Sequence, residues 1–239
     1  MEPFWFRLSS IKMAQLRIHT YLAPLQRAYE AERDETRAEE MSRYMKNLFP
    51  FMGIPSPDRK KIFRKHLAQY GLPLYKDLFP IIKSAYTRPE REYHYFAIDL
   101  AGKFANKADD TFVPLLEFLI TKNSWWDSVD SVASNCTRDF FKRNTHLQIP
   151  VTRKWMNSDN IWLQRASVLF QLNYKNNTNE KLLYEYILEL KESPEFFIQK
   201  AIGWALREYS KSNPQSVKQF LANNDLAKLS VREASKYIN

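Results

Sequence analysis

The stretch SDNIWLQRASVLF (residues 158–170) decides the fold, because its pattern occurs three times along the chain. A polar or proline start is followed by aromatic residues and then by a small residue inside an apolar helix. The same order is found in PEREYHYFAIDL (89–100) and SPEFFIQKAIGWAL (193–206). Alternating β-branched patterns, which are typical of strands, are nearly absent. We therefore expect an all-α fold.

The small residues of these segments recur at a regular interval. Ala166 and Ala201 lie 35 residues apart, and Ala97 lies 69 residues before Ala166, about twice that interval. Ser131 falls in the gap, 34 residues after Ala97. A helical period in the mid-thirties is typical of a solenoid, in which each helix pair buries its apolar face only by stacking on its neighbours. We expect a single domain over residues 1–239.

The charge balance favours a polyanionic partner. The chain has 36 Lys and Arg against 27 Asp and Glu, a formal net charge of +9. Such an excess attracts polyanions through counterion release, although charge alone does not separate DNA from RNA or an anionic membrane. No segment approaches the ~18 uninterrupted apolar residues of a membrane span, and the first residues lack the features of a secretion signal. We expect a soluble, cytoplasmic protein with no membrane partner.

The scarcity of cysteine, histidine and glycine argues against cofactor chemistry. Cys136 is the only cysteine, which excludes an intramolecular disulfide and a thiolate zinc site. The four histidines are far apart and show no i, i+4 pairing of metal ligands on a helix. The four glycines are too scattered to build a phosphate-binding loop. We expect neither a metal nor an organic cofactor.

The repeat register predicts one charged face. The residues just before the small ones in successive segments are Phe96, Asp130, Arg165 and Lys200. Equivalent positions on stacked helices line up, so if this face is the concave one its three charged residues share a groove. Three or four residues away on the same helices, the spacing that brings side chains together, lie Trp126, Trp162 and Trp204.

The stretch NSWWDSVDSV (123–132) contains the most informative acid. Ser124 and Asp127 have the spacing of a capping box, which explains Asp127 as a helix-start residue. Asp130 lies beyond the first turn, where the helix dipole helps an acid little. It is four residues from Trp126 and shares its helix face. Local pattern alone leaves two interpretations open, a bare carboxylate presented beside an aromatic wall or a surface acid next to a core tryptophan.

A second stripe combines cations with an indole. Lys200, Trp204 and Arg207 follow a spacing of four and then three residues. Buried unpaired cations are costly, so this tryptophan is less typical of a core position. Gly203 beside it costs roughly 1 kcal/mol in a helix interior relative to alanine. Such a glycine indicates close backbone approach or helix packing.

Helix starts are predicted from capping residues. The pairs Ser56-Pro57, Ser193-Pro194 and Asn213-Pro214 each place a capping side chain ahead of a proline at the first helical position. Ser230 and Glu233 have the spacing of a capping box for the last helix.

Five blocks resemble one known family. They are SRYMKN (42–47), TKNSWWDSVDSV (121–132), SDNIWLQRA (158–166), EFFIQKAIGWALREY (195–209) and LSVREA (229–234). Their order and spacing resemble the AlkD-type DNA glycosylases, the HEAT-like-repeat DNA alkylation repair family, from about residue 39 to the C-terminus. The resemblance implies an all-α, right-handed helical solenoid of HEAT-like repeats with a concave DNA-binding groove.

The resemblance also implies a function. It is hydrolysis of the N-glycosidic bond of positively charged N3- and N7-alkylated purines in duplex DNA by a monofunctional glycosylase, without metal or cofactor. The partner is duplex DNA with alkylated bases, and we expect a monomer. The family's roles carry over to the catalytic Asp130, to the aromatic walls Trp126 and Trp204, and to the DNA contacts Arg165, Arg207, Lys200 and Tyr44.

Two alternatives remain open from the sequence. The chain could be a non-catalytic DNA-binding helical-repeat protein, since such surfaces are often pure scaffolds. Lys200 could instead be a Schiff-base nucleophile in a glycosylase that also cuts the strand. The N-terminus is longer than the family pattern, and Met13 offers a second start, so we expect residues 1–12 to be dispensable.

Overall fold

The structure is a computed structural model that describes residues 4–238, with the side chains of Met13 and of residues 15–238. The expected dispensability of residues 1–12 therefore concerns side chains that lie outside the described part. The chain divides into two compact units, Met1–Ala101 and Gly102–Asn239. The expectation of a single domain stays a prediction. Across residues 4–238 the secondary structure is helical, with no strand, so the all-α prediction is confirmed.

The first unit is built from long helices. They are α1 (Phe4–Ala31), α2 (Glu35–Tyr44), α3 (Ser56–Tyr70), α4 (Tyr75–Tyr86) and α5 (Arg91–Ala105), the last of which extends into the second unit. Phe96, the first residue of the predicted series, is fully buried in this unit and packs against Phe63 and His66. None of the helices in the described part of the chain combines the length and the apolarity needed to span a membrane.

The second unit contains shorter helices that follow one another closely. They are α6 (Val113–Thr121), α7 (Trp126–Ser131), α8 (Arg138–Arg143), α9 (Thr145–Met156), α10 (Ile161–Leu169), α11 (Glu180–Leu190), α12 (Phe196–Ser210), α13 (Pro214–Asn223) and α14 (Lys228–Ala234). A π-helical turn, Val132–Thr137, joins α7 to α8. Single π-turns inside helices occur frequently at functional sites.

Hydrogen bonds between helices confirm the repeat. Arg165 bonds to Asp130 across 35 residues, and the Trp155 indole donates to Glu117 across 38 residues. Tyr184 and Ser216 are joined across 32 residues. These separations are close to the interval of 35 residues that the sequence predicts, so each contact joins one repeat to the next.

The helices of each repeat fall into two layers. Hydrogen bonds connect α6 with α9 through Glu117 and Trp155, and α9 with α11 through Thr152 and Tyr186. The other layer, here called the second-helix layer, contains the second helix of each repeat. These helices, α7, α10, α12 and α14, pack on one another in succession. The buried Ala166 belongs to this layer. The second unit is thus a helical-repeat stack, whose second-helix layer carries the predicted charged series.

The predicted helix starts are partly correct. Asn213 caps α13 by accepting a hydrogen bond from the Ser216 backbone N–H at 3.2 Å, as predicted. Ser56 does not cap α3, because that helix already begins at Ser56. Ser193 does not cap α12, which begins three residues later at Phe196. The Ser193 carbonyl instead accepts a hydrogen bond from the Gln199 side chain, so this serine belongs to the loop before the helix.

The capping box predicted at Ser230 and Glu233 is wrong. The helix α14 begins at Lys228, so Ser230 lies within it. The Ser230 hydroxyl donates to the Gln199 carbonyl on α12 at 2.9 Å. A tertiary contact with the neighbouring helix has therefore replaced the local cap.

Gly203 allows α12 and α14 to cross closely. A Cβ at this position would lie 2.5 Å from the Glu233 Cβ and 2.8 Å from the Ser230 carbonyl oxygen. Both distances are shorter than real Cβ contacts, and one partner is backbone, which cannot rotate away. Gly203 therefore serves helix packing, one of the two roles that the sequence indicates.

Gly203→Ala should destabilise the protein, because α14 must shift to make room for the methyl group. Overpacking of this kind costs about 1–3 kcal/mol. The measurement is urea unfolding followed by circular dichroism. The matched control is Gly102→Ala in α5, where the nearest described atom to an added Cβ is the Cys136 sulfur at 3.8 Å. Equal stability of the two variants would contradict this packing role.

Candidate active site

A cavity of about 470 Å³ opens on the second-helix layer. Its walls come from α7, α10, α12, α14 and the turn after α14. The lining residues are Trp126, Asp130, Arg165, Phe196, Phe197, Lys200, Trp204, Arg207, Glu233 and Lys236. Six of the seven site residues predicted from the sequence therefore lie around one cavity.

The remaining predicted residue, Tyr44, lies in the first unit. It is the last residue of α2, and its side chain is largely exposed. The chain then turns through Lys46 and Asn47, which both have positive φ. The DNA contact expected of Tyr44 stays a prediction.

Asp130 and Arg165 form a two-pronged ion pair in the cavity wall. The Arg165 Nε donates to Asp130 Oδ1 at 2.7 Å, and Nη2 donates to Oδ2 at 2.8 Å. Arg165 also donates to the Phe197 carbonyl. The description of Asp130 as a bare carboxylate is therefore wrong. The partner could not be found locally, because it belongs to the next repeat.

The burial of this pair affects its chemistry. The Arg165 side chain is 5% exposed and the Asp130 side chain 15%. Burial raises the pKa of Asp130, while the hydrogen bonds and charge of Arg165 oppose that rise. A nearby carboxylate, Asp127, raises it further. Asp130 is thus a partly desolvated acid that its guanidinium partner favours in the ionised form.

The two predicted tryptophans approach the cavity from different helices. Trp126 is the first residue of α7, four residues before Asp130, and it is half-buried. Trp204 is half-buried on α12, one turn after Lys200. Each presents part of an indole to the space beside the carboxylate. Indole faces attract cations, so the cavity walls suit a positively charged group.

The third predicted tryptophan belongs to the support of the site. Trp162 is not part of the cavity lining but packs against Phe197 and Trp125, with ring centroids 5.0 Å and 5.9 Å apart. Trp125 also meets Phe197, at 4.9 Å. This cluster holds the Phe197 segment whose carbonyl anchors Arg165. Trp125 and Trp162 therefore pack behind the cavity wall, and Trp162 does not itself line the cavity although it lies three residues from Arg165.

The capping box predicted for α7 is also wrong. The Ser124 hydroxyl donates to the Ile120 carbonyl at 2.7 Å, at the end of α6. The helix begins at Trp126, and the residue before it makes no side-chain cap. Asp127 still lies in the first turn, where a negative charge complements the helix dipole.

Glu233 is a cavity residue that the sequence reasoning missed. It accepts from Lys200 at 2.9 Å, from Arg207 at 3.2 Å and from Lys236 at 2.7 Å. Hydrogen bonds from Lys236 and Lys200 lower its pKa to about 2 against the effect of burial. The two cations beside Trp204 are thus paired, which removes the cost of burying them alone.

A signal for Glu233 was present in the sequence. It lies 33 residues after Lys200 and directly before the fully buried Ala234, so it continues the series of residues that precede a small one. Its assignment to a capping box concealed this register.

Among the residues with described side chains, no group of three His, Cys, Asp or Glu is placed to hold a metal ion.

Arg165→Gln should destabilise the protein by roughly 3 kcal/mol, because it leaves a buried carboxylate unpaired. The pKa of Asp130 then rises further above its unfolded value. A carboxyl group whose folded pKa lies above its unfolded pKa loses stability as pH rises from the unfolded value towards the folded one, so the loss in this variant should grow as pH rises above the ordinary carboxyl range. Urea unfolding at several pH values measures it.

The matched control is Arg153→Gln. Arg153 pairs with Glu185 and Glu189 on more exposed surface, where such pairs contribute about 1 kcal/mol or less. Equal losses in the two variants, or a loss that shrinks with rising pH in Arg165→Gln, would contradict the buried-pair account.

Comparison with known proteins assigns the chain to a family. The family model described as DNA alkylation repair enzyme matches residues 25–238. A solved structure of a predicted DNA alkylation repair enzyme from Enterococcus faecalis shares 34% identity with a TM-score of 0.82, over 87% of this chain and 97% of that one.

A more distant likeness concerns the fold. AlkD2 from Streptococcus mutans shares 23% identity with a TM-score of 0.60, over 75% of this chain and 90% of that one. No curated protein matched the chain. The family match spans residues 25–238, which include the cavity residues, and the Enterococcus structure covers 87% of the chain. The chain therefore belongs to the DNA alkylation repair enzyme family.

Proposed function

We propose that the protein is a monofunctional glycosylase that hydrolyses the N-glycosidic bond of positively charged N3- or N7-alkylated purines in duplex DNA. The observation that carries the proposal is the partly buried Asp130 carboxylate in a cavity walled by indoles. Membership of a DNA alkylation repair family supports DNA as the partner. The net charge of +9 agrees with a polyanionic substrate.

The substrate chemistry explains why few catalytic groups suffice. A purine alkylated at N3 or N7 already carries positive charge, so it leaves without protonation by a general acid. The developing oxocarbenium-like sugar needs a nearby negative charge and a directed water molecule. Asp130 supplies the charge and, as a hydrogen-bond acceptor, orients the water.

The surrounding side chains each have a physical role in this proposal. Trp126 and Trp204 stabilise the cationic base by about 0.5–2 kcal/mol, depending on desolvation, and favour a neutral purine much less. Arg165 holds Asp130 ionised and fixes its orientation, so in this proposal it positions the catalytic acid, and the DNA contact that the resemblance implies for it stays a prediction. Lys200 and Arg207 face the same cavity as contacts for DNA phosphates.

The remaining parts of the proposal rest on the family resemblance. We propose that Tyr44 contacts DNA from the N-terminal side, that the protein acts as a monomer, and that it needs neither metal nor cofactor. We also propose a cytoplasmic location, with which a role in DNA repair is consistent.

A non-catalytic DNA-binding function is the second candidate. The observation that favours it is the engagement of both Asp130 oxygens by Arg165, since a scaffold would hold its acid in the same way. The Schiff-base alternative is less well supported. The Lys200 ammonium is ion-paired with Glu233, and an ammonium has no lone pair with which to attack a sugar.

The test is release of 7-methylguanine from methylated duplex DNA under single-turnover conditions. Asp130→Asn should retain DNA binding but lose on the order of 10²–10³ in release rate, because the carboxylate charge at the sugar is removed. The exposed Asp159→Asn, in the loop before α10, is the charge-matched control and should release base like the wild type.

Two outcomes would contradict the glycosylase proposal. Equal release by Asp130→Asn and wild type would remove Asp130 from the mechanism, and no release by the wild type would favour the binding scaffold. Borohydride added during the reaction should trap no covalent complex. A trapped complex that disappears in Lys200→Gln would establish the Schiff-base mechanism instead.

A further inference from the structure

Glu233 lies beneath a group of three cations, here called the cation cluster: Lys200, Arg207 and Lys236. All three contact its carboxylate within 3.2 Å. The Glu233 side chain is only 8% exposed, whereas the lysines are 36% and 48% exposed. The carboxylate is therefore shielded from solvent, and the positive groups lie nearer the surface.

The cation cluster keeps a net positive charge after pairing. Three cations share one carboxylate, so about two positive charges remain uncompensated within the cluster. All four side chains line the cavity that contains Asp130. A phosphate group that enters from the solvent side meets the ammonium and guanidinium groups before it meets the buried acid.

The fold fixes the position of Glu233 independently of the cations. Gly203 lets α14 approach α12 so closely that an added Cβ would touch the Glu233 Cβ. One turn earlier, Ser230 bonds to the Gln199 carbonyl. The backbone of Glu233 is thus held at a helix crossing, and Lys200 and Arg207 extend from the opposite helix to meet it.

The ion pairs with Glu233 reduce the conformational entropy that the three cations lose when they bind an anion. Lysine and arginine side chains lose much of their conformational freedom when they are immobilised. A cation that is already ordered in the free protein does not lose this freedom again on binding. A buried acid that orders several cations can therefore strengthen the binding of an anion, although its own charge repels that anion.

We propose that Glu233 is a positioning residue that organises the cation cluster, including Lys236, as a subsite for a DNA backbone phosphate next to the base-binding cavity. The inference rests on the proposed function only in taking the anion to be DNA. It adds two residues, Glu233 and Lys236, to those indicated by the sequence. It also predicts that neutralising Glu233 weakens DNA binding, whereas the change in net charge alone would strengthen it.

Removal of an acid from a DNA-binding face ordinarily tightens binding, because the net positive charge rises. Glu233→Gln should instead weaken binding to an undamaged duplex by a factor of about 3 to 10, the weight of one or two phosphate contacts. The slope of log K against log salt should become shallower by about 1 to 2, since each lost contact removes roughly 0.9. Fluorescence anisotropy over a salt series measures both quantities.

A second variant keeps the test valid if Glu233→Gln unfolds. Lys236 lies in the exposed turn after α14, so Lys236→Gln should fold normally. It should weaken binding and reduce the salt slope by about 0.9. In a Glu233→Gln background the same change should have a smaller effect, because the lysine is no longer positioned there.

The chain offers a matched pair of controls. Lys211 and Glu208 form an ion pair at the same i, i+3 separation as Lys236 and Glu233, and the two lysines are 47% and 48% exposed. The control pair does not line the cavity. Lys211→Gln and Glu208→Gln should therefore leave the salt slope nearly unchanged.

The outcomes separate this inference from the proposed function. If Glu233→Gln and Lys236→Gln bind like their controls, or if Glu233→Gln binds more tightly, the positioning role is overturned, whether or not alkylated bases are released. If both variants lose affinity and slope while the wild type releases no base, the phosphate subsite stands and the glycosylase proposal fails.

Discussion

The ion pair between Asp130 and Arg165 is the interaction on which the candidate site depends. It joins two helices whose residues are 35 positions apart, so it fixes the register of successive repeats as well as the geometry of the cavity wall. Both partners are largely buried. Burial makes each charge costly without the other, which explains why the two groups engage through both carboxylate oxygens.

The charges of the cavity explain why a basic protein presents an acid at its candidate site. The cavity contains four cations and two carboxylates, so it is positive overall but locally mixed in sign. A ligand that combines phosphates with one cationic base has the complementary distribution. Asp130 and the indoles suit the base, while the cations suit the backbone around it. This division of roles is what the proposed function and the phosphate subsite have in common.

The sequence predicted the parts of this arrangement that follow from periodicity. Asp130, Arg165 and Lys200 occupy equivalent positions in successive repeats, and equivalent positions meet when repeats stack. The sequence did not predict that Asp130 is paired, because the pairing depends on side-chain direction across two helices. Glu233 was missed for a different reason. Its local pattern matched a capping box, and the tertiary bond of Ser230 with Gln199 replaced that cap.

The central claim is that the cavity selects a base by its positive charge. The most direct test compares single-turnover release from two duplexes that differ in one base, 7-methylguanine in the first and neutral hypoxanthine in the second. The account predicts release of 7-methylguanine well above the spontaneous rate and no enzyme-dependent release of hypoxanthine. Release of both bases with comparable acceleration over their spontaneous rates would contradict it.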